Sequence, residues 1–143
     1  MTTEKQKLTV EEIFFKVQTS FYVSGLAREL GATKTHILFA IASYMDEDGK
    51  CHPTQKQLSE RTGISTKTIG EKIQDILDIR VGGKPILKAT KYKTKAGHYN
   101  YAYRIMPVSQ ISKFEGTVEK IEPLFYKEEV DEVNELEAAL ASL

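Results

Sequence analysis

The stretch from His52 to Leu77, HPTQKQLSERTGISTKTIGEKIQDIL, does most to limit what this chain can fold into. Thr54 followed three residues later by Gln57 is the capping-box pattern, so a helix starts at Thr54 and runs through Leu58 to Arg61. Gly63 supplies the positive φ of a turn. Ser65 then caps a second helix reaching about Ile79. Ile69, Ile73 and Ile76 recur at helical spacing and face inward. The other face carries Lys67, Glu71, Gln74, Asp75 and Asp78, flanked by Thr66 and Thr68. Two short helices crossing steeply at a glycine make a helix-turn-helix. Leu58 and Ile64 plug its junction, and Ser59 is small where the second helix passes.

A second pattern follows it. ILKATKYKTKAGHYNYAYRIM reads as two strands, Ile86–Lys91 and Tyr99–Met106, with Lys95, Ala96, Gly97 and His98 near the tip. The segment before it, VGGKP, breaks the chain. After Asp78 the next acid is Glu115, and between them lie Arg80, Lys84, Lys88, Lys91, Lys93, Lys95, Arg104 and Lys113. Residues 1–106 hold seventeen Lys/Arg against eleven Asp/Glu, a balance of +6, and residues 107–143 hold three against nine, a balance of −6. The formal net charge of zero hides this division. A basic surface beside a helix that can enter a groove points to a polyanion, with an acidic segment after it.

The rest of the chain is expected to complete one domain. Residues 1–12 read as a flexible polar end, and Ile13–Gln18 as a short strand. A helix starting at Ser20 or Ser24 buries Phe21, Leu26 and Leu30 and ends at Gly31. Thr33 caps the next helix, about Lys34 to Met45, whose Ile37, Leu38, Ile41 and Tyr44 form the core stripe. Asp46 to Gly49 is a turn, and Cys51-His52-Pro53 is extended. Residues 13–107 are therefore the domain and 108–122 a linker. Residues 123–143 are an acidic amphipathic helix in which Tyr126, Val133 and Leu140 fall seven apart, as do Leu136 and Leu143. That helix has three readings: dimerisation through Val133, Leu136, Leu140 and Leu143, docking on a protein partner, or covering the basic face. The first is favoured, because a single small DNA-binding module gathers few contacts.

Several classes are excluded. One cysteine allows no internal disulfide, and Cys51 with scattered His36, His52 and His98 makes no four-ligand metal set. Asp46 to Gly49 lacks the ligand spacing of a calcium loop. No phosphate-binding glycine loop or nucleophile–base pattern occurs, so no catalysis, metal or cofactor is expected. The start, MTTEKQKLTVEE, has no apolar signal core, and the run Ile37–Met45 is too short for a bilayer. A cytoplasmic protein with no membrane partner is expected.

The order of these motifs resembles a known family. FFKV near the start and ILFAIASYMDEDGKCHPTQKQLSERTGISTKTI are similar to the winged helix-turn-helix domain that opens phage and plasmid replication proteins of Gram-positive bacteria, the DnaD-type and replisome-organiser modules. The shared pattern is an apolar helix, the turn Asp46–Gly49, the segment Pro53-Thr54-Gln55, and the motif from Leu58 to Ile69. It covers about two-thirds of the chain. The sequence departs from the family at Gly70, inside the second helix, where glycine costs about 1 kcal/mol relative to alanine. The glycine-rich DIRVGGKP is also longer than usual. The resemblance implies a mainly α fold with a small β-hairpin (α+β), a winged helix-turn-helix followed by the amphipathic helix.

It also implies where double-stranded DNA would be met. Ser65, Thr66, Lys67, Thr68, Glu71 and Lys72 form the recognition-helix set, with Thr66, Lys67, Thr68 and Glu71 toward base edges and Lys72 toward phosphate. Thr54, Gln55 and Lys56 belong to the helix before the turn, whose N-terminal amides can also hold phosphate. Lys88, Lys91, Lys93, Lys95, His98 and Tyr99 form the wing set. Lys91, Lys93 and Lys95 alternate on one strand and share a face. Tyr92 and Tyr99 are read as sheet packing before base stacking. Asp75 and Asp78 oppose phosphate, so contact ends near Lys72. The expected role is sequence-preferring DNA binding as a homodimer at a replication or transfer origin of a plasmid or phage. A replication or transfer protein would meet the acidic helix. Transcriptional regulation of the same element is the alternative, and a protein–protein adaptor the rival class.

Overall fold

The computed structural model describes residues 9–119 and 138–143, with side chains over 14–113 and 138–143. Among the described residues, 11–116 form one compact unit, and residues 9–10, 117–119 and 138–143 fall in a second. Strand β1 (Thr9–Val17) leads into helix α1 (Ser20–Val23) and then α2 (Leu26–Ala42). Strand β2 (Lys50–Cys51), α3 (Gln55–Thr62) and α4 (Thr66–Leu77) follow. The chain then forms β3 (Arg80–Val81), β4 (Lys84–Pro85), β5 (Leu87–Lys93), β6 (Tyr99–Ile105), a 3-10 turn at Pro107–Ser109, and β7 (Ile111–Glu119).

Local chemistry sets the helix ends. Thr54 caps α3 by accepting the Gln57 amide at 3.0 Å, while the Gln57 side chain accepts the Thr54 amide at 2.8 Å. Gly63 ends that helix at φ 80°, a conformation that penalises any side chain with a Cβ. Ser65 caps α4 by accepting the Thr68 amide at 3.2 Å. Further upstream, Gly31 (φ 80°, ψ 173°) breaks the helical path, so α2 is two helices meeting at a kink and the first ends at Gly31 as expected. The second helix starts just before the expected cap, since Thr33 is already helical, and it ends at Ala42 rather than at Met45.

The core lies where α2, α3 and α4 meet the sheet. Ile37, Leu38 and Ile41 of α2, Leu58 of α3, and Ile69, Ile73 and Ile76 of α4 are all 0% exposed. Ile86, Leu87, Tyr103 and Ile105 close the sheet side. Burying such a side chain contributes roughly 1.5–3 kcal/mol, so this cluster dominates the stability of the unit. Phe39 links it to the N-terminal elements, with ring centroids 5.4 Å from Phe21 and 5.8 Å from Phe15.

The main sheet has strand order β2-β6-β5, and both pairings are antiparallel. Its register runs Leu87↔Ile105, Ala89↔Tyr103, Lys91↔Tyr101 and Lys93↔Tyr99. A turn after α2 anchors its root. The Asp46 carboxylate accepts the Asp48 and Lys50 amides at 2.8 and 3.0 Å. These bonds, that of Lys50 first, hold its pKa below the usual carboxylate range. The Gly49 carbonyl in turn accepts the Ile105 amide at 2.8 Å. Burial, with the nearby Asp46 charge, pushes the Cys51 thiol up to about 12, and its Sγ faces the Ile41 carbonyl at 3.4 Å. The thiol therefore stays protonated and unreactive near neutral pH.

Two expectations about the chain ends need correction. Residues 9–12 belong to β1 rather than to a flexible end, and residues 111–119 of the expected linker form β7, which pairs with β1. Residues 1–8 and 120–137 lie outside the described residues, and with them most of the expected acidic helix, including Val133 and Leu136. Residues 138–141 are helical, and Leu140 and Leu143 are 59% and 97% exposed.

Candidate nucleic-acid interface

Helix α4 divides its residues sharply. Its inward stripe of Ile69, Ile73 and Ile76 is fully buried, while Thr66, Lys67, Glu71, Gln74 and Asp75 are exposed. Thr66, Lys67 and Glu71 therefore sit on the solvent face of a helix anchored by three buried isoleucines. Ser65 and Thr68 are already committed to each other. The Ser65 hydroxyl accepts the Thr68 amide and donates to the Thr68 hydroxyl at 3.1 Å. Lys72 is half-buried, with its Cα one turn beyond Thr68.

The helix before the turn supplies fewer free groups than the sequence suggested. The Thr54 hydroxyl is engaged in the capping box, and Gln55 is half-buried over α4. A Cβ built on Gly70 would stand 3.2 Å from the Gln55 Oε1. The glycine in α4 thus makes room for the Gln55 side chain. Lys56 remains exposed. Arg61 is used internally: its guanidinium sits 3.8 Å from the Tyr44 ring centroid and donates to the Ser43 hydroxyl at 2.9 Å.

The wing splits into two faces. Leu87, Ala89, Lys91 and Lys93 share one face of β5, and its inner end is buried in the core. Lys91 and Lys93 therefore extend the helix-facing side of the sheet beyond the core. Tyr99 stands beside them, 59% exposed, with the Lys91 and Lys93 ammoniums 4.8 and 5.9 Å from its ring centroid. Tyr99 thus rests against its neighbours on the sheet outside the core, whereas Tyr101 and Tyr103 stack with centroids 6.0 Å apart. Lys88 lies on the other face of β5, so it cannot join Lys91 and Lys93 on one surface. Tyr92, 37% exposed, also points to that other face.

Lys95 departs from the expectation too. Strand β5 ends at Lys93, so Lys95 sits in the tip loop with His98 rather than on the strand face. The tip is closed by the Thr94 amide donating to the His98 carbonyl at 2.7 Å and the His98 amide donating to the Thr94 hydroxyl at 3.2 Å. Sequence reasoning left Lys50 and Arg104 out of the site. Both lie on the Lys88 face, paired in register across β2 and β6. Strand alternation gives the parity of Arg104, but nothing local marks a two-residue strand at Lys50.

The arrangement offers a helix end with free polar side chains and, on the helix-facing side of the hairpin, two lysines and an open aromatic ring. Among the described residues, no helix is long and apolar enough to cross a membrane. No curated protein matches the chain. A family model described as a helix-turn-helix domain matches residues 28–75, from the first turn of α2 into the last turns of α4. The chain carries a helix-turn-helix domain, of the kind that supports DNA binding.

Proposed function

We propose that this protein binds double-stranded DNA with sequence preference, at a replication or transfer origin of a plasmid or phage. The observation that carries DNA binding is the pairing of the exposed α4 residues Thr66, Lys67 and Glu71 with Lys91 and Lys93 on the helix-facing side of the wing. The first group reads base edges and the second grips phosphate. The mobile-element setting rests on the family resemblance of the Asp46–Ile69 segment. Action on the same element's promoter is the alternative role for the same geometry. No catalytic step, metal or cofactor enters this reading. Dimerisation is part of it: the exposed Leu140 and Leu143 support a second copy as the partner of the C-terminal segment. A replication or transfer protein remains the alternative partner of that segment.

The test is selection of bound duplexes from random DNA and from the source element at near-physiological salt. One recovered motif beside an origin or transfer site supports the reading. A motif beside a promoter moves it to transcription. No motif, with binding that collapses as salt rises, leaves phosphate contact alone and moves the protein to the adaptor class.

A further inference from the structure

The sheet face opposite Lys91 and Lys93 carries its own row of cations. Register places Lys50 of β2 beside Arg104 of β6, and Arg104 beside Lys88 of β5. Adjacent strands lie about 4.8 Å apart, so three positive charges line up straight across the sheet over about 10 Å. All three side chains are exposed. The Arg104 Nε donates to the Asp48 carbonyl at 3.3 Å, which fixes where its guanidinium lies. Like charges on directly paired positions destabilise a sheet, so this row works against the fold that holds it. The row lines a groove of about 730 Å³ at the β2 edge of the sheet, shared with Tyr44, Asp46, His52, Thr90 and Gln57 of α3. Asp46 is the one acid among the lining residues, and its carboxylate is tied to the turn amides. One carboxylate against three cations leaves the groove positive.

We propose that this groove is a second nucleic-acid site, holding the phosphates of a duplex segment other than the one met by α4. The inference rests on the DNA-binding reading above and deepens it. Lys91 and Lys93 lie on the helix-facing side of the sheet, and Lys50, Arg104 and Lys88 on the other. A straight duplex laid along α4 meets the first set and not the second. Three cations in line fit a ligand that presents several phosphates in succession better than one isolated phosphate. A phosphodiester backbone is such a ligand. One protomer would then join two DNA segments, which is useful where distant sites must be brought together.

The test uses the full chain. A duplex enriched by the selection described above is fixed to beads, the protein is bound to it, and a labelled random-sequence duplex is added in solution. Wild type should retain the labelled duplex. The variant Lys50→Gln/Lys88→Gln/Arg104→Gln, checked for an unchanged melting curve, should lose that capture while remaining on the beads. The salt slope of capture should fall by about 2.7, about 0.9 for each phosphate contact removed. Lys50→Arg with Lys88→Arg keeps the charge and should keep the capture. Equal capture by wild type and the neutralised variant overturns the proposal, since a dimer presenting two α4 helices would behave that way. Absence of capture by bead-bound wild type also overturns it. Binding of inorganic triphosphate in the groove without duplex capture assigns the site to a small polyphosphate and overturns it as well. Failure of wild type to bind the beads sinks the underlying DNA-binding reading, and this inference with it.

Discussion

The helix-turn-helix and the wing hold their polar residues in different ways. In the helix-turn-helix, hydroxyls and amides near the candidate surface also build the fold: Thr54 and Gln57 close one helix end, Ser65 and Thr68 the other, and Gln55 covers Gly70. In the wing, Lys91 and Lys93 lean on the Tyr99 ring and stand clear of the core. In the first region, a substitution at these capping residues changes both stability and recognition. A substitution in the second changes charge and leaves the fold alone. Mutational data on the two regions therefore need opposite controls.

The sharpest way to break this contrast is at the base of α4. Ile73→Ala removes a side chain that is 0% exposed. It should cost about 2–5 kcal/mol in denaturant unfolding and abolish DNA binding through unfolding alone. A loss below 1 kcal/mol would mean that α4 is not packed as described. Thr54→Ala should cost about 1 kcal/mol, read as a lower melting midpoint, because the Gln57 amide loses its acceptor and the capping box opens. Gly70→Ala runs the other way. The new Cβ meets only the far end of the flexible Gln55 side chain, at 3.2 Å. That end can swing away, so the variant should gain about 0.5–1 kcal/mol from helix propensity. A destabilised Gly70→Ala would show instead that Gln55 is rigidly held. The smallest effect on stability is expected in the wing. Lys91→Gln with Lys93→Gln should stay within about 0.5 kcal/mol of wild type, yet lower the salt slope of duplex binding by about 1.8. A change in stability without a change in slope would reverse the contrast between the two regions.

How much of this was legible in the sequence follows from the range of the signals. The helix-turn-helix was readable because its cues are local: Thr54 three residues before Gln57, Gly63 at a turn, and isoleucines at helical spacing from 69 to 76. The pairing of β1 with β7 was not, because it joins Thr9–Val17 to Ile111–Glu119. The segment ISKFEGTVE, with its glycine and charges, has the composition of a linker until a partner strand is present. The wing lies between these cases. The two strands were legible, and strand alternation alone puts Lys88 opposite to Lys91 and Lys93. Grouping all the lysines by charge overlooked that parity. Lys50 escaped notice because β2 is only two residues long and exists through its pairing with β6.

The turn at Asp46–Gly49 bears on where this chain tolerates change in length. Gly49 sits at φ 82°, and a Cβ there would stand 2.6 Å from the Ile105 carbonyl oxygen. The turn is thus seated directly on β6, with the Gly49 carbonyl and the Ile105 amide joined across 56 positions of sequence. One added residue in this turn would shift β2 out of register with β6, and with it the entry into α3. The hairpin tip, Thr94 to His98, is bonded only to itself in the hydrogen bonds described for it. Relatives of this domain should therefore vary in length at the tip and keep the four-residue spacing of the turn, and a tag or fluorophore belongs at the tip.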